Sequence, residues 1–359
     1  MTAVKKFCIA LSAILVWFAI PVATANAVSI GQTCTKTVLG TRVSIQVNKK
    51  PVIAVCRMVA GRKKWIRAAV QTLVTTTTST STTSTTIPEP VINYSDVVDA
   101  VDPTLHIITV EGMQPRTYYL NIPPSYTAGT PVPLLLGFHG LGGSAQIFRE
   151  QSQLDTFTND ANVISVFPNG YGSSSGVENS WNAGSCCGLS QIQNIDDVQL
   201  AKVIIKVISA KYSVDPKNIW AVGYSNGGMF SYRLACELSG TITAIGVGAG
   251  ALTAQTCSPP NSISVIHIHG GLDDHVPFLG GGPFQTPDIE TSFRSLNASN
   301  RCASMPFVSS SDSISSALLG SCFDGTEVKL INYFDQKHGW TVLWTKEILR
   351  FLFAHPRKP

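Results

Sequence analysis

The stretch Ile219-Trp220-Ala221-Val222-Gly223-Tyr224-Ser225-Asn226-Gly227-Gly228 runs from an apolar segment into a Gly-x-Ser-x-Gly turn. The apolar run suits a strand buried on both faces, and Met229 to Leu238 beyond the turn reads as a helix. A serine between such elements sits on a strained backbone, and glycines beside it remove the clashes that side chains would make. The turn exposes the Ser225 hydroxyl at the carboxyl edge of the sheet. It also aims the Asn226 N–H, at a helix start, toward the place where an oxyanion develops. Glycine and serine are common, so the motif alone also fits a plain glycine-rich loop; its flanks favour the strained turn.

Three further pieces follow the order that this architecture requires. Upstream, Leu134-Leu135-Leu136-Gly137-Phe138 ends in His139-Gly140-Leu141-Gly142-Gly143, where Leu141 is placed to give a second oxyanion N–H. Downstream, Val265-Ile266-His267-Ile268-His269-Gly270-Gly271-Leu272-Asp273 puts a carboxylate just past a buried strand. Later comes His338 in Lys337-His338-Gly339-Trp340. Serine, aspartate and histidine in that order match a nucleophile, an orienting acid and a base. Competing assignments exist. Asp273-Asp274-His275 is a conceivable metal cluster, although neighbours on one loop rarely converge on an ion. Asp335 is an alternative partner for His338, His267 reads as a packed core histidine, and Asp196-Asp197 reads as a helix cap or a structural pair, with Asp197 a candidate for lining the cleft. No metal or organic cofactor is required.

Strand-like segments at Leu105–Val110, Thr117–Ile122, Pro133–Phe138, Val163–Phe167, Ile219–Val222, Ile245–Val247, Val265–His269 and Val328–Tyr333 alternate with helix-like ones at 196–211, 229–238 and 341–353. That alternation predicts an α/β fold, a mostly parallel sheet with helices on both faces, with the first two strands as an antiparallel edge.

The front of the chain is different. Lys5 and Lys6 precede the apolar run Phe7 to Ile20 and then Ala25-Asn26-Ala27, the order of a signal peptide covering 1–27. The run falls short of the ~20 residues a membrane span needs, so the mature chain is expected to be secreted and to lack a transmembrane segment. A Thr/Ser/Pro-rich tether at 73–90 separates a small basic β module, 28–72, from a catalytic module, 91–359. No acid precedes Glu89, while 11 Lys or Arg do; the remainder carries 15 basic and 22 acidic residues. A nucleic-acid partner for the main body is therefore not expected, whereas an anionic cell-surface polymer suits residues 28–72. With 44% hydrophobic and 13% charged residues, global disorder is excluded.

Eight cysteines follow the signal segment and no Cys-x-x-Cys pair occurs, which favours disulfides. Cys34 and Cys56 lie together in the small module. Cys302 and Cys322 bracket a polar stretch that they would close as a loop, and Cys236 and Cys257 can pair across the helix after Ser225. Adjacent Cys186 and Cys187 form either a vicinal disulfide or two thiols.

His139-Gly140, Trp181-Asn182 with Cys186-Cys187-Gly188, Asp196-Asp197-Val198, Gly223 to Met229, His269-Gly270-x-x-Asp273 and His338-Gly339-Trp340 together resemble the polyhydroxybutyrate depolymerase/feruloyl esterase family. The resemblance covers about 105 to 355. It implies the α/β-hydrolase fold, secretion, an ester substrate that in some members is polymeric, and a Ser225–His338–Asp273 triad. It also puts His139, Tyr224, Trp181 and Trp340 at the substrate. The family usually has Gly-His-Thr-Trp-Pro around its histidine; here Thr341 replaces the proline, a departure in the pocket wall that leaves the base in place. A peptidase of the same fold, or a binding protein on an esterase scaffold, are the rival readings. Peptidases of that kind usually bring a large additional domain, and an intact triad argues against a mere scaffold.

Overall fold

The structure, a computed structural model, describes residues 42–47, 50–59, 62–67, 92–172, 178–302, 307–311, 313–319 and 322–357. The chain divides into two units between Ile87 and Pro88. In the first, β1 (Arg42–Val47), β2 (Lys50–Val59) and β3 (Arg62–Arg67) form an antiparallel meander in which β2 is central. The signal segment, Cys34 and the Thr/Ser tether lie outside the described residues.

The second unit is built on one sheet of 11 strands. Its strands are β4 (Tyr94–Val98), β5 (Leu105–Val110), β6 (Arg116–Asn121), β7 (Val132–Phe138), β8 (Ile164–Pro168), β9 (Val214–Tyr224) and β10 (Ala244–Gly248), followed by β11 (Ser264–Gly270), β12 (Phe307–Ser310), β13 (Ile314–Leu319) and β14 (Val328–Tyr333). The spatial order is β12-β13-β14-β11-β10-β9-β7-β8-β6-β5-β4. From β14 to β8 all neighbours are parallel, while both flanks are antiparallel. The sequence explains the difference. Every residue of β8, β10 and β11 is buried, apolar and small side chains making up these runs apart from His267 and His269, whereas β6 alternates strictly between buried and half-exposed.

Successive residues of one strand serve opposite faces. Leu134 and Leu136 pack beneath α4 (Asp197–Lys211), α5 (Asn226–Leu238) and α6 (Ile289–Ser299), while Leu135 joins the core under α1 (Ala145–Ser152), α2 (Leu154–Asp160) and α7 (Val342–Ala354). Asp196 caps α4 by accepting the Gln199 N–H at 2.9 Å, the role expected of it.

Two differences from the sequence reading stand out. The stretch expected as a disulfide-closed polar loop contains the hairpin β12–β13, which extends the sheet beyond β14. Its segments Phe307-Val308-Ser309-Ser310 and Ile314-Ser315-Ser316-Ala317-Leu318-Leu319 show neither a clean alternation nor a long apolar run. Helix α5 starts at Asn226 rather than Met229, the packing of its first turn overriding the poor helix propensity of Gly227 and Gly228.

Disulfides join Cys236 to Cys257, Cys302 to Cys322 and the neighbours Cys186 and Cys187. The first closes a loop with a sequence separation of 21. On loop entropy, replacing both cysteines with alanine costs about 3 kcal/mol, seen as a lowered urea midpoint at unchanged slope. A midpoint equal to the parent's would show that the bridge adds nothing.

Candidate active site

The turn between β9 and α5 places Ser225 at φ 54° and ψ −121°, a conformation that L residues avoid. Its neighbours are glycine for a measurable reason. A Cβ on Gly223 would lie 2.1 Å from the Gly227 carbonyl oxygen, and one on Gly227 would lie 2.2 Å from that of Phe138. The first turn of α5 is thus pressed against the ends of β7 and β9, and the Ser225 N–H is tied to the Gly248 carbonyl at 2.8 Å.

Loops from the carboxyl ends of β11 and β14 complete the arrangement. His338 Nε2 lies 3.0 Å from Ser225 Oγ, and His338 Nδ1 lies 2.7 Å from Asp273 Oδ2. Asp273 Oδ1 accepts the N–H groups of His275 at 3.0 Å and Val276 at 2.8 Å. Burial pushes the Asp273 carboxyl up, but hydrogen bonds from His269, His338 and the Val276 N–H outweigh it and hold the group well below the usual carboxylate range. Asp335 is exposed and makes no bond to His338 among the described residues. The sequence reading missed that the His275 ring stacks on His338 at 4.9 Å and 16°. Tyr224 flanks the same imidazole at 5.1 Å.

In the loop after β7, the expected oxyanion donors can be told by which N–H groups remain. Gly142 donates to Asn179 O at 2.8 Å and Gly143 to Gly140 O at 3.0 Å, while Leu141 N–H has no acceptor among the described residues. The loop lies against the serine, since a Cβ on Gly140 would sit 3.3 Å from Ser225 Cβ. Asn226 stands at the start of α5, its N–H without an intrahelical acceptor and its side chain bonded to both backbone groups of Trp181 at 2.7 and 3.0 Å. The Cys186–Cys187 bridge backs this contact, with Asn226 Nδ2 3.5 Å from Cys187 Sγ.

Three of the four expected substrate contacts are turned inward. His139 is 1% exposed; its Nε2 accepts the Gly170 N–H at 2.9 Å, its Nδ1 lies 2.7 Å from the Gly140 carbonyl, and burial brings its pKa down to about 4. Trp181 is fully buried and donates to the His139 carbonyl at 3.0 Å. Trp340 bonds Thr345 Oγ1 at 2.9 Å and packs on Phe148. These residues brace the walls from behind, and Tyr224 alone of the four keeps open surface. Asp197 does not line the cleft either: it is fully buried and holds Arg116 at 3.0 Å. Ligand atoms of Asp273, Asp274 and His275 lie within 4.8 Å of one another. Both Asp273 oxygens already accept N–H donors, which leaves that group poorly suited to a cation. Beside the loop after β7, an open cleft of about 730 Å³ is lined by Ser144, Asn179, Tyr171, Leu189 and Gln193 among others.

A carboxyl whose folded-state pKa is depressed adds stability that is complete above its unfolded pKa of about 3.9 and disappears as pH falls through the lower folded value. Acidification from about pH 7 to about pH 3 is therefore expected to lower the urea midpoint of the parent more than that of Asp273→Asn, which has no such proton to take up. Equal drops would contradict the assigned direction.

Residues 112–269 match the model of a family described as putative esterase. Feruloyl esterase B of Piromyces equi is 28% identical over 204 residues, covering 53% of this chain and 37% of its own length. A putative esterase, NocK, of Nocardia uniformis subsp. tsuyamanensis is 30% identical over 200 residues, covering 54% of this chain and 55% of its own. A probable feruloyl esterase C of Aspergillus terreus is 29% identical over 177 residues, covering 48% of this chain and 60% of its own. The chain thus spans between 37% and 60% of the length of these relatives. Among solved structures, the acetyl xylan esterase from Aspergillus awamori superposes with a TM-score of 0.50 at 15% identity, covering 73% of this chain and 100% of that one, a likeness of fold. Over residues 112–269 the chain is thus similar to esterases, feruloyl esterases among them, and its fold is that of the α/β-hydrolases.

Proposed function

We propose that the chain is a secreted serine esterase that cleaves carboxylic esters through an acyl-enzyme on Ser225. The observation that carries this reading is the row Ser225 Oγ, His338 Nε2 and Nδ1, Asp273 Oδ2, with successive hydrogen bonds of 3.0 and 2.7 Å. His338 Nε2 takes the Ser225 proton as Oγ bonds to the ester carbonyl carbon. The carbonyl electron pair moves onto oxygen, which the N–H groups of Asn226 and Leu141 stabilise. Collapse expels the alkoxide, which leaves as alcohol with the proton from His338. Water, deprotonated by the same imidazole, then attacks the acyl carbon and releases the acid, restoring Ser225. Asp273 holds the Nδ1–H tautomer and stabilises the imidazolium.

The named relatives favour feruloyl or acetyl esters of plant polysaccharides, and the open polar cleft beside the oxyanion loop suits a bulky alcohol portion. Polyhydroxybutyrate-like polyesters are the second substrate class. The signal-like first segment and the paired cysteines support an extracellular setting.

Turnover of methyl ferulate, p-nitrophenyl acetate, acetylated xylan and polyhydroxybutyrate separates the substrate classes. Ser225→Ala and His338→Ala are expected to lose on the order of 10⁶ in kcat, and Asp273→Asn about 10⁴. A Ser225→Ala protein keeping more than about one percent of activity would overturn the nucleophile assignment.

The basic module is proposed to hold the enzyme on an anionic surface. A chain starting near Pro90 keeps full activity on soluble esters and loses the salt-sensitive retention on cell walls that the full chain shows, since exposed charges are screened beyond about 8 Å at physiological ionic strength. Equal retention of both at low salt would make the module passive.

A further inference from the structure

Behind Asp273 the core holds three polar side chains that the reaction scheme does not use. Tyr232 lies on α5, His267 and His269 lie on β11, and all are at most 1% exposed. Tyr232 Oη is 2.6 Å from His267 Nδ1, His267 Nε2 is 2.9 Å from His269 Nδ1, and His269 Nε2 is 2.7 Å from the Val276 carbonyl and 3.4 Å from Asp273 Oδ2. The imidazoles stack at 5.1 Å and 14°. A neutral imidazole has one donor and one acceptor nitrogen, and here all four ring nitrogens have partners.

With both rings neutral, the proton positions follow from donor and acceptor rules. A carbonyl has no proton, so His269 Nε2 carries the hydrogen, and in the neutral ring its Nδ1 must accept. His267 Nε2 therefore donates, its Nδ1 accepts, and the Tyr232 hydroxyl donates to it. Every polar atom of the row is satisfied in one direction only, and burial pushes His267 further toward the neutral form.

We propose that Tyr232, His267 and His269 form a one-way donor chain that ties the helix carrying the nucleophile to the loop carrying the acid, with His269 as a positioning residue for Asp273. This rests on the serine-esterase reading. The chain starts on α5, seven residues after Ser225, and ends on the carboxylate and on the Val276 peptide. Because Val276 N–H also donates to Asp273 Oδ1, His269 fixes both sides of the turn that presents the carboxylate.

Two measurements test it. In uniformly ¹⁵N-histidine-labelled full-length protein near neutral pH, long-range ¹H–¹⁵N correlations are expected to show His267 and His269 both neutral and protonated at Nε2. An Nδ1–H tautomer or a doubly protonated ring at either position would overturn the direction of the chain. Tyr232→Phe, which deletes the first donor, is expected to lower kcat about tenfold with KM within about twofold, because the loss is one of alignment rather than of substrate contact. A fluorophosphonate probe reports separately on the parent reading. Labelling of Tyr232→Phe with kcat unchanged would sink the donor chain and leave the esterase standing, whereas a parent protein that resists the probe would remove the esterase reading itself. Should Tyr232→Phe fail to fold, the tautomers of the parent still decide.

Discussion

Everything at the site depends on how closely the first turn of α5 approaches the ends of two neighbouring strands. With Gly227 against the Phe138 carbonyl and Gly223 against the Gly227 carbonyl, there is no room for a side chain at either position. That contact forces the backbone of Ser225 into its unusual conformation and lifts its hydroxyl clear of the sheet. It also fixes the distance between the serine and the loop after β7, because β7 and β9 are hydrogen-bonded neighbours. Ser225 and the N–H groups beside it are therefore positioned by one packing event. Asp273 and His338 follow β11 and β14, whose carboxyl ends lie on the same edge because those strands run parallel to β9 through β10.

Electrostatics complete what packing begins. A carboxylate this buried is costly unless donors surround it, and Asp273 receives them from His338, His275, Val276 and His269. Burial also pushes His139 and His267 toward the neutral form. Farther out, the buried Arg116–Asp197 pair ties β6 to the start of α4 and, through the Asn182 N–H at 2.8 Å, to the segment that carries Trp181. Breaking such a pair leaves an uncompensated charge, so its value lies in holding that wall in one arrangement.

Much of this was legible in the sequence, and the exceptions have physical causes. The apolar run before Gly223 and the continuous runs at 164–168 and 264–270 announce buried parallel strands, and Ser225, Asp273 and His338 stand out by type and order. His139, Trp181 and Trp340 were misplaced because a motif gives proximity to a site and not the direction of a side chain; all three brace the site from within. His275 gave no signal, since stacking on His338 depends on the turn that Asp273 Oδ1 closes. The hairpin β12–β13 was hidden because its short segments mix serine with apolar residues in no strand-like period. His269 could have been noticed: four residues before Asp273, across a Gly-Gly turn, it is close enough to reach the carboxylate.

An esterase scaffold kept only for binding would present the same hydrogen-bonded row, so geometry and catalysis part at covalent chemistry. The most direct measurement is mass spectrometry of protein quenched in acid within seconds of mixing with a p-nitrophenyl ester. The account predicts one acyl group, located by peptide mapping on the segment that contains Ser225, disappearing as substrate is exhausted. An acyl group on another residue, or steady release of product with no acylated protein at any quench time and no burst, would contradict it.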